Sequence, residues 1–265
     1  MSLRFCSLSS GSSGNCIYVE SDRSKILIDA GFSGKQVEKL LDSIDVDPSK
    51  LDAILVTHEH SDHIKGVGVL SRRYRIPVIA NEGTWCAMTN KIGKIDEDNI
   101  LIFKNDLYFG LRDLDILPVT TSHDSAEACG YIIQKGEKKI SLLTDTGLYN
   151  TEMMDSIRGS DIFFVESNHD IPMLKNGIYP YRLKQRILSS KGHLSNDDCG
   201  RLLGDVLQGN GEKVFLAHLS SENNSPRVAF NTVNNYLLSL GLDTERDIDM
   251  TVANRSYASG IIELE

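Results

Sequence analysis

Three of the chain's seven histidines fall within six residues, in the segment Thr57-His58-Glu59-His60-Ser61-Asp62-His63. Imidazole nitrogen and carboxylate oxygen are the usual ligands of a borderline divalent cation such as Zn²⁺. The short apolar run Ala53–Thr57 reads as a strand that leads straight into this cluster. At the end of a strand, His58 and His60 can both turn to one side and hold one ion. Asp62 and His63 open the following helix and can hold a second. Two ions about 3.5–4 Å apart clamp an attacking and a leaving oxygen, which is hydrolytic chemistry. The bland alternative is a polar loop that happens to carry histidines, and the local density of histidine argues against it.

A site of this kind needs a rigid frame. With 265 residues and 40% apolar content the chain can bury a sizeable core, and it reads as a single domain over 1–265. Plentiful glycine (21) and scarce proline (6) suit tight turns between strands. Short β-branched and aromatic runs at 5–8, 17–20, 26–29, 53–57 and 76–80 read as strands. Helical stripes cover 35–44, 62–74 and 82–92, with Ile64, Val67 and either Leu70 or Val69 pointing inward from the second. A strand-rich middle follows at 100–103, 107–109, 113–119, 129–135 and 139–143. Helices are then expected at 151–157, 178–190, 196–207 and 226–240, with strands at 161–166, 214–217, 248–252 and 256–264. This order fits an α/β sandwich of two sheets with helices outside, without repeats or linkers.

Several function classes recede. The opening MSLRFCSLSS has no basic region followed by a long apolar run, so no signal peptide is expected. No stretch approaches 18 apolar residues, so neither is a membrane span. The five cysteines (6, 16, 86, 129 and 199) form no C-x-x-C pair and read as thiols in a reducing cytoplasm. The net charge of −9 speaks against a nucleic-acid partner at first sight. Bound divalent ions, however, return positive charge where the chemistry happens.

The H-x-H-x-D-H pattern at a strand's end resembles that of the metallo-β-lactamase superfamily. The resemblance implies a four-layer αββα sandwich with two divalent ions at the sheet edges. Its other marks can be placed one by one. Asp29, in Ile-Leu-Ile-Asp-Ala-Gly, matches an Asp that orders the histidine loop by hydrogen bonds, although an Asp before Gly is otherwise an ordinary turn residue. His123 would complete the first ion's set with His58 and His60. Asp145 would bridge, and His218 would join Asp62 and His63 on the second ion. Asp62 is counted with the catalytic groups as well. Diiron oxidoreductases of this fold carry Glu at the position of His60, so the resemblance points away from redox chemistry. Ligands of this type suit Zn²⁺, Mn²⁺ and Fe²⁺ alike.

Glu166, ending Asp-Ile-Phe-Phe-Val-Glu, and His193, in Lys-Gly-His-Leu-Ser, resemble the Glu–His pair of the phosphodiesterase branch typified by ribonuclease Z. There the His gives a proton to the departing oxygen, and Glu orients it. As a whole the chain looks most like the YycJ (WalJ) family. The marks are Ser-Gly-Ser-Ser-Gly-Asn-Cys (10–16), 58–63, Glu166-Ser-Asn-His-Asp, Gly192-His-Leu-Ser-Asn and His218-Leu-Ser. This likeness implies a nuclease on double-stranded DNA working from the 5′ end. Only 21 residues separate His123 from Asp145, too few for ribonuclease Z's tRNA-gripping arm. The 72 between Asp145 and His218 leave no room for the extra domain of larger nucleases of the fold.

The charge map leans the same way. Lys175, Arg182, Lys184, Arg186 and Lys191 lie in a stretch, 171–196, that holds no acidic residue, and Tyr179 and Tyr181 there could stack on a frayed terminal base. A solvated helix face is the competing reading for each of these cations. Arg72, Arg73 and Arg75 form a shorter island. Ser12 and Ser13 sit in a Gly/Ser loop that could nest a terminal phosphate or be a plain turn. His169 takes no chemical role and reads as structural. Two rivals share these features: a hydrolase of a small phosphodiester, thioester or lactam, and a non-catalytic regulatory protein that binds nucleic acid.

Overall fold

The computed structural model describes residues 2–265. The first half of the chain builds one sheet. Strands β1 (Leu3–Ser9), β2 (Cys16–Ser21) and β3 (Lys25–Ile28) form an antiparallel meander. Strands β4 (Ala53–Leu55), β5 (Val78–Asn81) and β6 (Ile100–Phe103) add to β3 in parallel. Helices α1 (Gly34–Asp42), α2 (Ser61–Ile64), α3 (Val67–Tyr74) and α4 (Glu82–Ile92) make the crossovers. The second half repeats the plan. Strands β7 (Phe109–Leu111), β8 (Leu114–Thr120), β9 (Cys129–Lys135) and β10 (Lys138–Leu143) are antiparallel neighbours. After α5 (Thr151–Ile157), β11 (Ile162–Glu166) joins β10 in parallel. Helices α6 (Ile171–Asn176), α7 (Tyr181–Ile187) and α8 (Asn196–Val206) lead to β12 (Glu212–Ala217), and α9 (Pro226–Ser239) leads to β13 (Ile248–Val252). The last strand, β14 (Ile262–Leu264), returns to pair with β1. Each sheet has seven strands, in the orders β14-β1-β2-β3-β4-β5-β6 and β13-β12-β11-β10-β9-β8-β7.

The central parallel strands are apolar on both faces because both faces are covered. Ile26 and Ile28 of β3 point to the other sheet and Leu27 to the helices. Phe164 and Phe215 point to the first sheet, while Phe163 and Val214 meet α8 and α9. Phe5 packs 5.1 Å from Phe215 and 5.9 Å from Phe164, ring centre to ring centre, which locks sheet to sheet. The layers are therefore helix, sheet, sheet, helix, the expected αββα sandwich. No helix among the described residues is long and apolar enough to cross a membrane. Four cysteines are buried and Cys86 is exposed, all of them unbridged.

Several expected elements change: the strand expected at 107–109 lies at Phe109–Leu111, and that at 53–57 ends at Leu55. The helix over 62–74 is two, because the Asp62 carbonyl accepts from Asn15 N (2.8 Å) and Gly66 N bonds to Ala30 O (2.7 Å) instead of back along the helix. Ile64, Val67 and Leu70 are buried and Val69 is the exposed one. Strand β3 stops at Ile28, and Asp29 takes a left-handed φ of 60°. The helix over 178–190 shrinks to α7, which starts after Pro180. Ahead of it the missed helix α6 is capped by Asp170, whose side chain accepts from Met173 N. Of 256–264 only Ile262–Leu264 pairs, since the chain up to Gly260 (φ 82°) is irregular.

Beneath the histidine loop β9 is bonded to the chain leaving β4: Cys129 N donates to Thr57 O at 3.1 Å, and Tyr131 donates its hydroxyl to Val56 O at 2.6 Å. Tyr131→Phe leaves that carbonyl without a partner and is expected to lower stability by about 1–3 kcal/mol. Chemical denaturation of the variant and the parent measures this, and coincident midpoints would contradict it.

Candidate metal centre

The strands that carry the site end at one edge, and the chain leaves them with polar side chains. Asp29 follows β3, the histidine loop follows β4, Asp145 follows β10, Glu166 closes β11 and His218 follows β12. His123 follows β8, and His193 precedes α8. Asp29, Asp145 and His218 all have positive φ (60°, 56° and 52°), a costly conformation for non-glycine residues that turns the side chains over the sheet edge.

The ligand atoms converge. His60 Nδ1 lies 3.1 Å from His58 Nε2 and 3.3 Å from His123 Nε2. An ion held tetrahedrally by imidazoles at about 2.0–2.1 Å spaces its ligands about 3.3–3.4 Å apart, so these three nitrogens fit one. Asp62, His63 and His218 form a second group, with His63 Nε2 and His218 Nε2 at 3.6 and 3.7 Å from Asp62 Oδ2. Asp145 stands between the groups: Oδ1 is 3.8 Å from His123 Nε2, and Oδ2 is 3.4 Å from His63 Nε2. Asp145 Oδ2 and His218 Nε2 are buried with no hydrogen-bond partner. A buried polar atom so placed is costly unless something binds it, and a cation satisfies both. A divalent metal therefore fits the donor set.

Four of the rings are held by the far nitrogen. His63 Nδ1 donates to Asp29 Oδ2 (2.7 Å), His123 Nδ1 to Gly192 O (3.1 Å) and His218 Nδ1 to Glu166 Oε1 (2.8 Å). His58 Nδ1 donates to Thr57 Oγ1 (3.0 Å), which donates to Asp29 Oδ2 (2.8 Å). These bonds fix the tautomer and leave Nε2 of all four rings with a lone pair facing inward. Burial, reinforced by the neighbouring imidazoles, holds His58 well below the usual histidine range, and burial lowers His60 too. Both are thus neutral ligands, as metal binding requires. Burial opposes charge on His63 and His218 also, but there carboxylates outweigh it. Asp29, Asp145 and Asp62 push His63 up to about 9, and Asp145 leads the groups that raise His218. The field at these nitrogens favours a cation.

Glu166 is fully buried and does more than the single contact expected of it. Its Oε1 accepts from His193 Nδ1 (2.8 Å) as well as from His218, and Oε2 accepts from Thr146 N (3.0 Å) and Leu194 N (3.2 Å). Burial works against its charge, but His193 and these bonds keep it ionised well below the usual carboxylate range. In return the charge of Glu166 raises His193 against the effect of burial.

Residues 24–218 match the family described as "Beta-lactamase superfamily domain". The chain is 44% identical to an exodeoxyribonuclease YycJ of Bacillus anthracis, over 89% of this chain and 90% of that one. It is 41% identical to an exodeoxyribonuclease WalJ of Streptococcus pneumoniae, over 98% of each. The chain belongs to the YycJ/WalJ family of the β-lactamase superfamily. The fold of YhfI from Bacillus subtilis, a metallo-β-lactamase fold protein, superposes over 99% of both chains with a TM-score of 0.74 at 16% identity. The superfamily fold implies divalent metal ions, and the His/Asp cluster is where this YycJ/WalJ family member offers ligands for them.

The basic residues have divided uses. Lys184 Nζ caps Lys175 O (2.8 Å) and Gly177 O (2.7 Å), and Arg186 pairs with Asp124, so these two brace the segment. Lys175, Arg182 and Lys191 are exposed and free of carboxylates. Arg72 bonds to Ile92 O and Arg73 pairs with Glu38, away from any ligand. Ser12 and Ser13 are exposed at the tip of their loop, whose Asn15 lies 3.1 Å (Nδ2) from His63 Nε2. His169 is 1% exposed and pairs through its backbone with Ser195, and neither ring nitrogen has a partner. Sequence reasoning missed Thr57, the hub between Asp29 and two histidines, and Asp124, 3.5 Å from His123 Nε2. Both flank a histidine of the cluster, which was the only signal available.

Gly31 lets the loops meet. A Cβ there would stand 1.7 Å from Asp62 O and 2.6 Å from Asn15 N. Gly31→Ala is expected to displace the loop that carries Asp62 and His63, costing about 1–3 kcal/mol and part of the bound metal. Elemental analysis with thermal melting tests this; full metal content at an unchanged Tm would refute it.

Proposed function

We propose that the protein is a dinuclear metal-dependent phosphodiesterase, a 5′-to-3′ exonuclease on double-stranded DNA. The single observation that carries the reading is the pair of ligand triads on either side of Asp145, with His193 beside them on the Glu166 carboxylate. Their setting in a YycJ/WalJ family member gives the substrate class. His58, His60 and His123 would hold one ion, Asp62, His63 and His218 the other, and Asp145 both. Zn²⁺ or Mn²⁺ suits this donor set, with Fe²⁺ a third candidate. When bound, such ions polarise a phosphodiester and supply an activated water.

The chain's own groups do the rest. Glu166 holds Nδ1 of His193, so Nε2 is free to carry a proton toward the leaving oxygen. The side chain of His193 is 18% exposed, open enough to meet substrate, whereas Glu166 is closed to it. Lys175, Arg182 and Lys191 supply phosphate contacts without sequence readout. The loop bearing Ser12 and Ser13 faces the terminal phosphate. The enzyme works in the cytoplasm, in keeping with its unbridged thiols.

End-labelled duplex DNA given to chelator-stripped protein with Mn²⁺ or Zn²⁺ restored should shorten progressively from its 5′ end, and His60→Ala should not shorten it. If duplex DNA, single strands and RNA stay intact while a generic phosphodiester is hydrolysed, the substrate is a small molecule.

His193→Ala should lower kcat by about 10²–10⁴-fold with metal content unchanged. Metal lost in that variant would instead make His193 a ligand. The proton on His193 is present below its raised pKa and lost as pH rises through it, so it sets an alkaline limb of the rate. Glu166→Gln removes the charge that raises it, and the limb should move to lower pH by about 1–3 units. A pH–rate profile at saturating metal reads the shift, and an unmoved limb would assign the limb to another group.

A further inference from the structure

Between α6 and α7 the chain lifts two apolar side chains into solvent. Ile178 is 85% exposed and Tyr181 is 75% exposed, the highest values for large hydrophobic side chains among the described residues. Leaving them in water forgoes the gain that burial would bring. The loop that carries them is braced. Lys184 Nζ ties down the carbonyls of Lys175 and Gly177 at 2.8 and 2.7 Å. Pro180 opens α7 with φ at −58°, and Gly177 packs so closely that a Cβ would stand 2.6 Å from Asn223 Oδ1. The far end of α7 is bonded to the site, since Ile187 O accepts from His193 N at 3.1 Å. At about 1.5 Å per residue, Tyr181 at the start of α7 lies about 9 Å along the helix from Ile187, the residue bonded to His193.

The surroundings select a polyanion. Lys175 and Arg182 are exposed next to the apolar tip in sequence, Lys191 is exposed two residues before His193, and residues 171–196 contain no acid. Four of the side chains that would hold metal are sunk: His58, His63, Asp145 and His218 are at most 3% exposed, with only His60 and Asp62 partly open. A phosphate that reaches them must leave the envelope of a duplex, so one strand has to part from the other near the end.

We infer that Ile178 and Tyr181 form a wedge that opens the terminal base pair of a DNA duplex and directs one strand to His193. Ile178 enters between the bases and Tyr181 stacks on the freed one, while the three cations hold the backbone. The inference rests on the nuclease reading and specifies how that site takes a duplex.

The test compares the holoenzyme with the Ile178→Ala/Tyr181→Ala variant on a blunt duplex and on the same duplex with two unpaired 5′ nucleotides. Both positions are exposed, so folding should be unaffected. The variant should be slower on the blunt end by about tenfold or more and equal to wild type on the frayed end. Tyr181→Phe, which keeps the stacking ring, should retain the blunt-end rate. A second readout is 2-aminopurine in the terminal pair of a duplex with cleavage-resistant phosphorothioate linkages: its fluorescence should rise on binding wild type and not on binding the variant. Equal rates on blunt DNA, or equal loss on both substrates, would overturn the wedge and leave the exonuclease standing. Wild type that degrades neither substrate would overturn both.

Discussion

Asp29 is the anchor on which the centre depends. Its carboxylate accepts from Thr57 N (2.9 Å), Thr57 Oγ1 (2.8 Å) and His63 Nδ1 (2.7 Å), all in a buried setting. One side chain thereby fixes where the histidine loop starts, how His58 is oriented through Thr57, and how His63 is oriented directly. Imidazoles packed with nitrogens 3.1–3.3 Å apart would repel if protonated and cannot all donate to one another. His58 and His123 are held in place because their outer nitrogens are bound to acceptors, and the inner nitrogens of all three face a place for a cation. Glu166 plays the corresponding part on the other sheet, for His193 and His218.

The two-sheet architecture serves this arrangement. Each half of the chain runs from an antiparallel meander into parallel strands, and parallel strands deliver successive carboxyl ends to one edge. The two edges meet because the sheets pack face to face on a shared core that includes Phe5, Phe164 and Phe215. Positive φ at Asp29, Asp145 and His218 is the local consequence: the side chains must turn over the edge at once, and the packed strands below hold them in a conformation they would not choose alone.

Charge is arranged on the same logic. An overall −9 coexists with a segment, 171–196, that holds no acid, and the Asp124 carboxylate that meets it is paired with Arg186. Arg186 and Lys184 brace the rim segment through Asp124 and two carbonyls, which leaves the remaining cations and the apolar tip presented on a stiff support.

Much of this was legible in the sequence. Histidine spacing, the apolar runs before each acidic or imidazole residue, and the acid-free stretch 171–196 depend only on local pattern. They sufficed for the sandwich and for the residues that the structure brings to one edge. What the pattern could not supply were contacts whose partners lie far along the chain. Whether helix 62–74 runs through depended on Asn15 taking the Asp62 carbonyl. Whether Lys184 and Arg186 were free depended on Gly177 and Asp124. The break at Pro180 was visible as a proline, but not the capped turn at Asp170 that makes a separate helix before it. The amino-acid sequence by itself determined which side chains can hold a metal and which strands carry them. Only the tertiary structure decided which atom of each faces inward, because that is set by hydrogen bonds from residues brought close by packing rather than by spacing.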